Sequence, residues 1–339
     1  VVVFKRGETR GAVLEGFTIT GGRGSHDGNY ANGGGVYCVN SSPIIRGNWV
    51  IGNRAYEVRG SGGGIFAATW SYLPTLAAPL IEGNRIEDNE CGQNGGGLAL
   101  VEGIFEVRNN VFQNNRCVAD GGGVWLWSRR GYAIIENNEF WDNCAGEHGG
   151  GLYAYETLSA DPLTIGENLF VRNRTIGDGF FGDTGSGGAI AALEVRGGLD
   201  HNTIVSNDGQ HLADCGGGGI LLWQTDENLS VSRNVIVGNA QCGIACWDGT
   251  ATMGPNLLWQ NGGGDLGTGL GECASEWAGV MLFADPLFCD PENDDYRVAS
   301  NSPAIMGEEV MGAYGEPGCG PRTSAQTSPW NRLRVLYSN

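Results

Sequence analysis

The sequence predicts an all-β chain wound as a right-handed parallel β-helix, a solenoid of about eight to ten coils. Three observations predict it. The pattern Asn-x-apolar-x-x-Asn occurs eight times, starting at Asn48, Asn84, Asn110, Asn138, Asn168, Asn202, Asn234 and Asn256. Glycine triplets interleave with it at 33–35, 62–64, 95–97, 121–123, 149–151 and 217–219. Each triplet opens a short run of alternating character, such as Val124-Trp125-Leu126-Trp127 or Leu152-Tyr153-Ala154-Tyr155.

The repeat length fits one coil. Successive starts lie 22 to 36 residues apart, and three short strands with their turns take on the order of 20 to 30 residues. Stacked coils place equivalent strands about 4.8 Å apart. Asn is expected at the coil corners, where it tolerates a left-handed bend and its amide bonds to the Asn above and below. Gly is expected where turns stack closely. Unequal intervals mean that loops of different length leave one corner. A degenerate first copy, Leu14-Glu15-Gly16-Phe17-Thr18-Ile19, lacks the asparagines.

Composition agrees. Gly is 60 of 339 residues without a collagen period, and ten Trp exclude a disordered polymer. Lys occurs once, at position 5, and the formal charge is −18. Such a chain repels nucleic acid and anionic membrane surfaces. No apolar stretch of about 20 residues offers a membrane span. Ten cysteines without a CxxC pair point to disulfides and an oxidising compartment rather than zinc. Cys91 and Cys117 each follow a closing Asn by two residues, so they are expected as stacked neighbours, preferably bridged. A secreted or cell-surface monomer is expected.

The glycine triplets and Asn pairs resemble the β-helix repeat proteins of the pectin-lyase-like superfamily, over about residues 10 to 315. Phe283-Ala284-Asp285-Pro286-Leu287-Phe288, Ser302-Pro303-Ala304-Ile305 and Gly312-Ala313-Tyr314 look like the closing segment of bacterial surface members. The resemblance implies a fold and leaves the activity open, since lyases, hydrolases, epimerases and non-enzymes share it. Residues 1–320 are expected as the β-helix domain and 321–339 as a tail.

Alternation assigns the site. After each triplet the first and third residues should face inward, the second and fourth outward. Trp125, Trp127, Tyr153 and Tyr155 then form an outward aromatic platform on adjacent coils, with Arg129 beside it. Flat rings beside polar groups suit sugar faces. Carboxylates flank that face. Glu156 and Glu194 follow the fourth column, while Asp120, Glu147 and His148 precede the triplets, as do Asp183 and Asp214. Glycoside hydrolysis needs two carboxyl groups, one protonated. These residues point to binding, with hydrolysis as the attached chemistry, of a polysaccharide or cell-surface glycan. The competing readings are a non-catalytic adhesin-type stalk and a polysaccharide lyase using Arg129, Arg130 or His148 as base. No cofactor is required. The turn Asp290 to Asp295 carries oxygen ligands of the kind Ca2+ takes, although an acidic turn needs no ion.

Overall fold

The computed structural model describes residues 1–27, 30–56, 59–70, 75–157, 162–177, 185–210, 216–267 and 277–321. Among them the chain winds through four parallel sheets as a right-handed solenoid of about seven full turns, slightly fewer than the markers suggested. Sheet A stacks nine strands: Val2–Phe4, Val36–Val39, Ile65–Ala68, Leu98–Val101, Val124–Trp127, Leu152–Thr157, Ile190–Val195, Ile220–Trp223 and Ile244–Trp247. Sheet B runs from Val13–Glu15 to Thr252–Met253 and sheet C from Thr18–Thr20 to Leu282–Phe283. Sheet D has six two-residue strands, from Arg54–Ala55 to Asp208–Gly209.

The expected phase holds. Inward residues of sheet A, such as Ile65, Leu98, Leu100, Val124, Leu126 and Leu152, are fully buried in one continuous core. Each such side chain stabilises the fold by about 1.5 to 3 kcal/mol before entropy is subtracted. Sheet C contributes a file of stacked rings, Phe112 on Phe140 at 4.9 Å and Phe140 on Phe170 at 4.4 Å. Outside sheet B, Glu15, Arg46, Glu82, Arg108 and Glu136 follow one another in strict register, so opposite charges alternate along the stack.

Both asparagine files are continuous and buried. The Asn138 side-chain amide donates to Asn168 Oδ1 at 3.0 Å and to the Val107 carbonyl at 2.9 Å. Its own Oδ1 accepts from the Asn110 backbone and side chain, at 2.9 and 3.0 Å. One expectation is corrected. The left-handed bend does not fall on the ladder residues but one place earlier, at Gly83, Asn109, Asn137, Glu167 and His201 in the first file, and at Asp88, Asn114, Asp142 and Arg172 in the second. The ladder Asn turns inward and caps the corner from inside.

The glycine triplets divide their work. The first has positive φ, as at Gly95 and Gly121 (both 71°). The second lies under the next coil: a Cβ on Gly96 would sit 2.5 Å from the Gly122 carbonyl oxygen. The third is crowded too, since a Cβ on Gly97 would sit 2.7 Å from the Gly123 carbonyl oxygen, although in one coil Ala189 takes this place with its ladder bonds kept.

Cys91 and Cys117 are in-register neighbours in sheet D, buried with Ala55 and Ala145, and both thiols are free. The preferred bridge is therefore corrected to stacking alone. Side chains at matched positions of parallel strands run side by side rather than toward each other. Burial pushes the Cys91 thiol up to about 12. Cys242 and Cys246 each take part in a disulfide, and Cys289 is joined to Cys319.

The C-terminal segment has a position the sequence did not assign. Trp277 and Met281 close the end of the core. The chain then folds back along the outside of sheet C. Phe288, Tyr296, Val298, Ala304, Val310 and Met311 cover Leu169, Val171, Val205, Val235 and Val237. Arg172 pairs with Asp294 at 2.9 Å, and the Gly312 amide donates to the Arg233 carbonyl at 2.9 Å. The acidic turn thus spends Asp294 on Arg172 and Asp295 on Arg297. Among the described residues no three metal-ligating side chains converge. No helix among them is long and apolar enough to cross a membrane. Asp183, Asp214 and residues 322–339 lie outside the described residues.

Candidate functional site on the outer face of sheet A

Register brings the four aromatics together as expected: Trp125 opposes Tyr153 and Trp127 opposes Tyr155. They do not form a bare platform. Tyr153 is only 6% exposed, and Trp125, Trp127 and Tyr155 are half-buried. The outward second column packs into apolar layers of its own. Tyr37 stacks on Phe66 at 5.8 Å, and Tyr153 packs with Ala191, Leu221 and Ala245. Large apolar groups repeated at the coil spacing touch their neighbours, so the face covers itself.

The carboxylates divide into two groups at opposite ends of the strands. At the end where sheet A meets sheet B, the residue after the fourth column is left-handed in six coils, at Asn40, Glu102, Glu156, Glu194, Gln224 and Asp248, and not at Thr69 or Ser128. Glu156 is buried and accepts from Trp127 Nε1 at 2.8 Å, Tyr155 Oη at 2.9 Å and the Arg129 guanidinium. Arg129, ahead of the other donors, lowers its pKa to about 2. Glu156 is therefore a fixed anion with no proton to give near neutral pH. Glu102 likewise faces Arg130 at 3.3 Å.

One coil further on, Glu194 is half-buried and enters an open cleft of about 430 Å³ with Val195, Arg196, Gln224, Thr225, Asp226 and Asp248. Trp223 and Trp247 stand beside it, edge to face at 5.7 Å. Gln224, Asp226 and Arg196 were not foreseen as site residues. The signal was present as the column that follows the aromatics, but its left-handed backbone could not be read from residue type.

At the glycine end, Asp120, Glu147 and His148 do come together. The His148 amide donates to Asp120 Oδ1 at 3.1 Å, and the Glu147 amide donates to the Ala119 carbonyl at 2.9 Å. Glu147 and His148 are buried, and the His148 ring lies 6.1 Å from Tyr153 and 5.9 Å from Trp223. Desolvation first, and the Glu147 charge second, raise Asp120 to about 7. The strand from Leu152 to Glu156 alone spans about 13 Å. Paired glycosidase carboxyls stand about 5 to 10 Å apart, so Glu156 and the Asp120 group do not serve one bond.

A family model described as right handed beta helix region matches residues 64–226, a span that holds the Asp120 group, Glu156, Glu194 and Gln224 and ends before Trp247 and Asp248. The chain is a right-handed parallel β-helix protein. No curated protein and no solved structure matches it.

Proposed function

We propose that this β-helix binds a polysaccharide along the outer face of sheet A, at the edge that turns into sheet B. One observation carries the reading: Trp127, Tyr155, Leu193, Trp223 and Trp247 follow one another in register as a file of half-buried side chains, two aromatic pairs on either side of a leucine, that leads to an open polar cleft. Rings held at one edge and wet at the other suit the faces of sugar rings. Side chains that hydrogen-bond hydroxyls, Gln224 and Thr225 among them, line the same cleft.

Binding is tested at Trp223. Trp127 holds Glu156 in place, so its replacement disturbs the corner as well as any ligand contact. Trp223→Ala should weaken binding to a glycan panel about tenfold, in the range of a stacked aromatic contact. Its circular dichroism should match the wild type. If no glycan binds, or if Trp223→Ala binds as well as wild type, the β-helix is a stalk of the adhesin kind.

Hydrolysis is a second reading, and the raised Asp120 beside Glu147 favours it. A carboxyl that holds its proton near neutral pH can act as general acid. Reducing-end release by wild type, lost in Asp120→Asn, would support it. Release that persists in the variant would end it.

A further inference from the structure

We infer that the glycan taken at this edge is cationic, a polymer of amino sugars bearing free, protonated amines. The inference rests on the polysaccharide reading above and concerns the charge of the same site.

The cations along the sheet A to sheet B edge are already committed. Arg129 is held by Glu156, Arg130 by Glu102 and Arg196 by Asp226, at 3.8 Å in the last case. Each pair joins side chains of neighbouring coils, the first two by hydrogen bonds and the last as a looser, half-exposed contact. Two carboxylates in the cleft, Glu194 and Asp248, have no ion pair among the described residues. They come from coils on either side of Gln224, about 10 Å apart along the stack. The cleft is thus a polar groove with two uncompensated negative charges on a chain whose formal charge is −18.

A uronate or sulfated chain would meet net repulsion here, since the cleft sets one guanidinium, Arg196, against three carboxylates, Glu194, Asp226 and Asp248. A neutral chain would give both carboxylates hydroxyl donors but no opposite charge. A chain of protonated amino sugars gains from each element. Its amines meet Glu194 and Asp248 in charge-assisted hydrogen bonds. Its CH faces lie on Trp223 and Trp247, whose π surfaces also attract a cation. Glu102 and Glu156, the equivalent residues of earlier coils, show what this position does with its charge: it captures a cation. In the later coils Arg196 turns to Asp226, and among the described residues no cation pairs with Glu194 or Asp248.

The test compares three hexamers of equal length by titration calorimetry at pH 5.5 and low salt: glucosamine, N-acetylglucosamine and galacturonate. The glucosamine hexamer should bind at least tenfold more tightly than its acetylated form, and galacturonate should not bind. Glu194→Gln with Asp248→Asn should erase the preference. A control variant, Glu292→Gln with Glu308→Gln, removes two exposed acids elsewhere and should keep it. The inference is overturned if the two glucosamine forms bind equally, if galacturonate binds best, or if the control variant loses the preference as much as the cleft variant does. Equal binding that still falls in Trp223→Ala would leave the polysaccharide reading intact. No binding by any hexamer or by the wider glycan panel would remove both.

Discussion

Trp127 and Glu156 lie on neighbouring coils, and the indole Nε1 of the first donates to Oε2 of the second at 2.8 Å. The same carboxylate receives Arg129 and Tyr155. A residue expected to work on substrate is therefore the knot that ties two coils together at the sheet A edge.

Glu156→Gln should lower stability by about 1 kcal/mol: the carboxylate is buried and loses hydrogen bonds, but Arg129 is largely exposed and solvent screens the charge pair. The effect depends on pH. The pKa falls from 4.5 to about 2 on folding. The stabilisation is therefore complete above about 4.5 and fades as pH drops toward 2. Denaturation of both proteins at pH 7 and pH 2.5 measures it. A gap that does not shrink in acid would reject the clamp.

Asp120 carries the opposite sign. Its pKa rises from 3.8 to about 7 on folding. The folded state then binds the extra proton, so wild type loses stability as pH climbs from about 4 to 7. Asp120→Asn keeps an oxygen for the His148 amide and removes that loss. It should be more stable than wild type at pH 8 by about 1 to 3 kcal/mol and show little difference at pH 4. Parallel pH–melting curves for the two would contradict the raised pKa.

Asn138→Ala should cost about 3 kcal/mol. It strands the Asn110 backbone amide and the Val107 carbonyl inside the stack, while Asn168 Oδ1 keeps the backbone amide of residue 138, and each buried orphan costs about 1 to 3 kcal/mol. Thermal melting reads the loss. A change under about half a kcal/mol would mean that the ladder is a packing convenience rather than a bonded column.

Cys91 and Cys117 should be free but unreactive. A thiol reagent should leave both untouched in the native protein, because they are buried and their thiolates disfavoured. In denaturant without reductant both should label. Recovery of a peptide bridging Cys91 to Cys117 would overturn their stacked, reduced state.

Much of this molecule could be read from the chain because a solenoid repeats a local pattern. Asn spacing, glycine triplets and alternation each follow from one coil, so the sequence alone determined the solenoid, its two ladders, the inward and outward phase of sheet A and the pairing of Trp125 with Tyr153. It also placed Asp120 beside His148, since neighbouring triplets set that register.

The rest depended on side chains meeting across coils or from distant parts of the chain. Glu156 and Glu194 occupy the same place in their coils, yet Arg129 reaches only the first, and no rule of spacing separates them. The cover on sheet C had a trace in the chain, since Leu169, Val171, Val205, Val235 and Val237 make the outward positions of late coils apolar where Arg85 and Glu87 stand earlier. Only the tertiary structure decided that residues 288–311 lie there. Repetition writes the backbone stack into the sequence. Which charge is captured and which is left open toward the solvent is decided by side-chain reach across the finished surface.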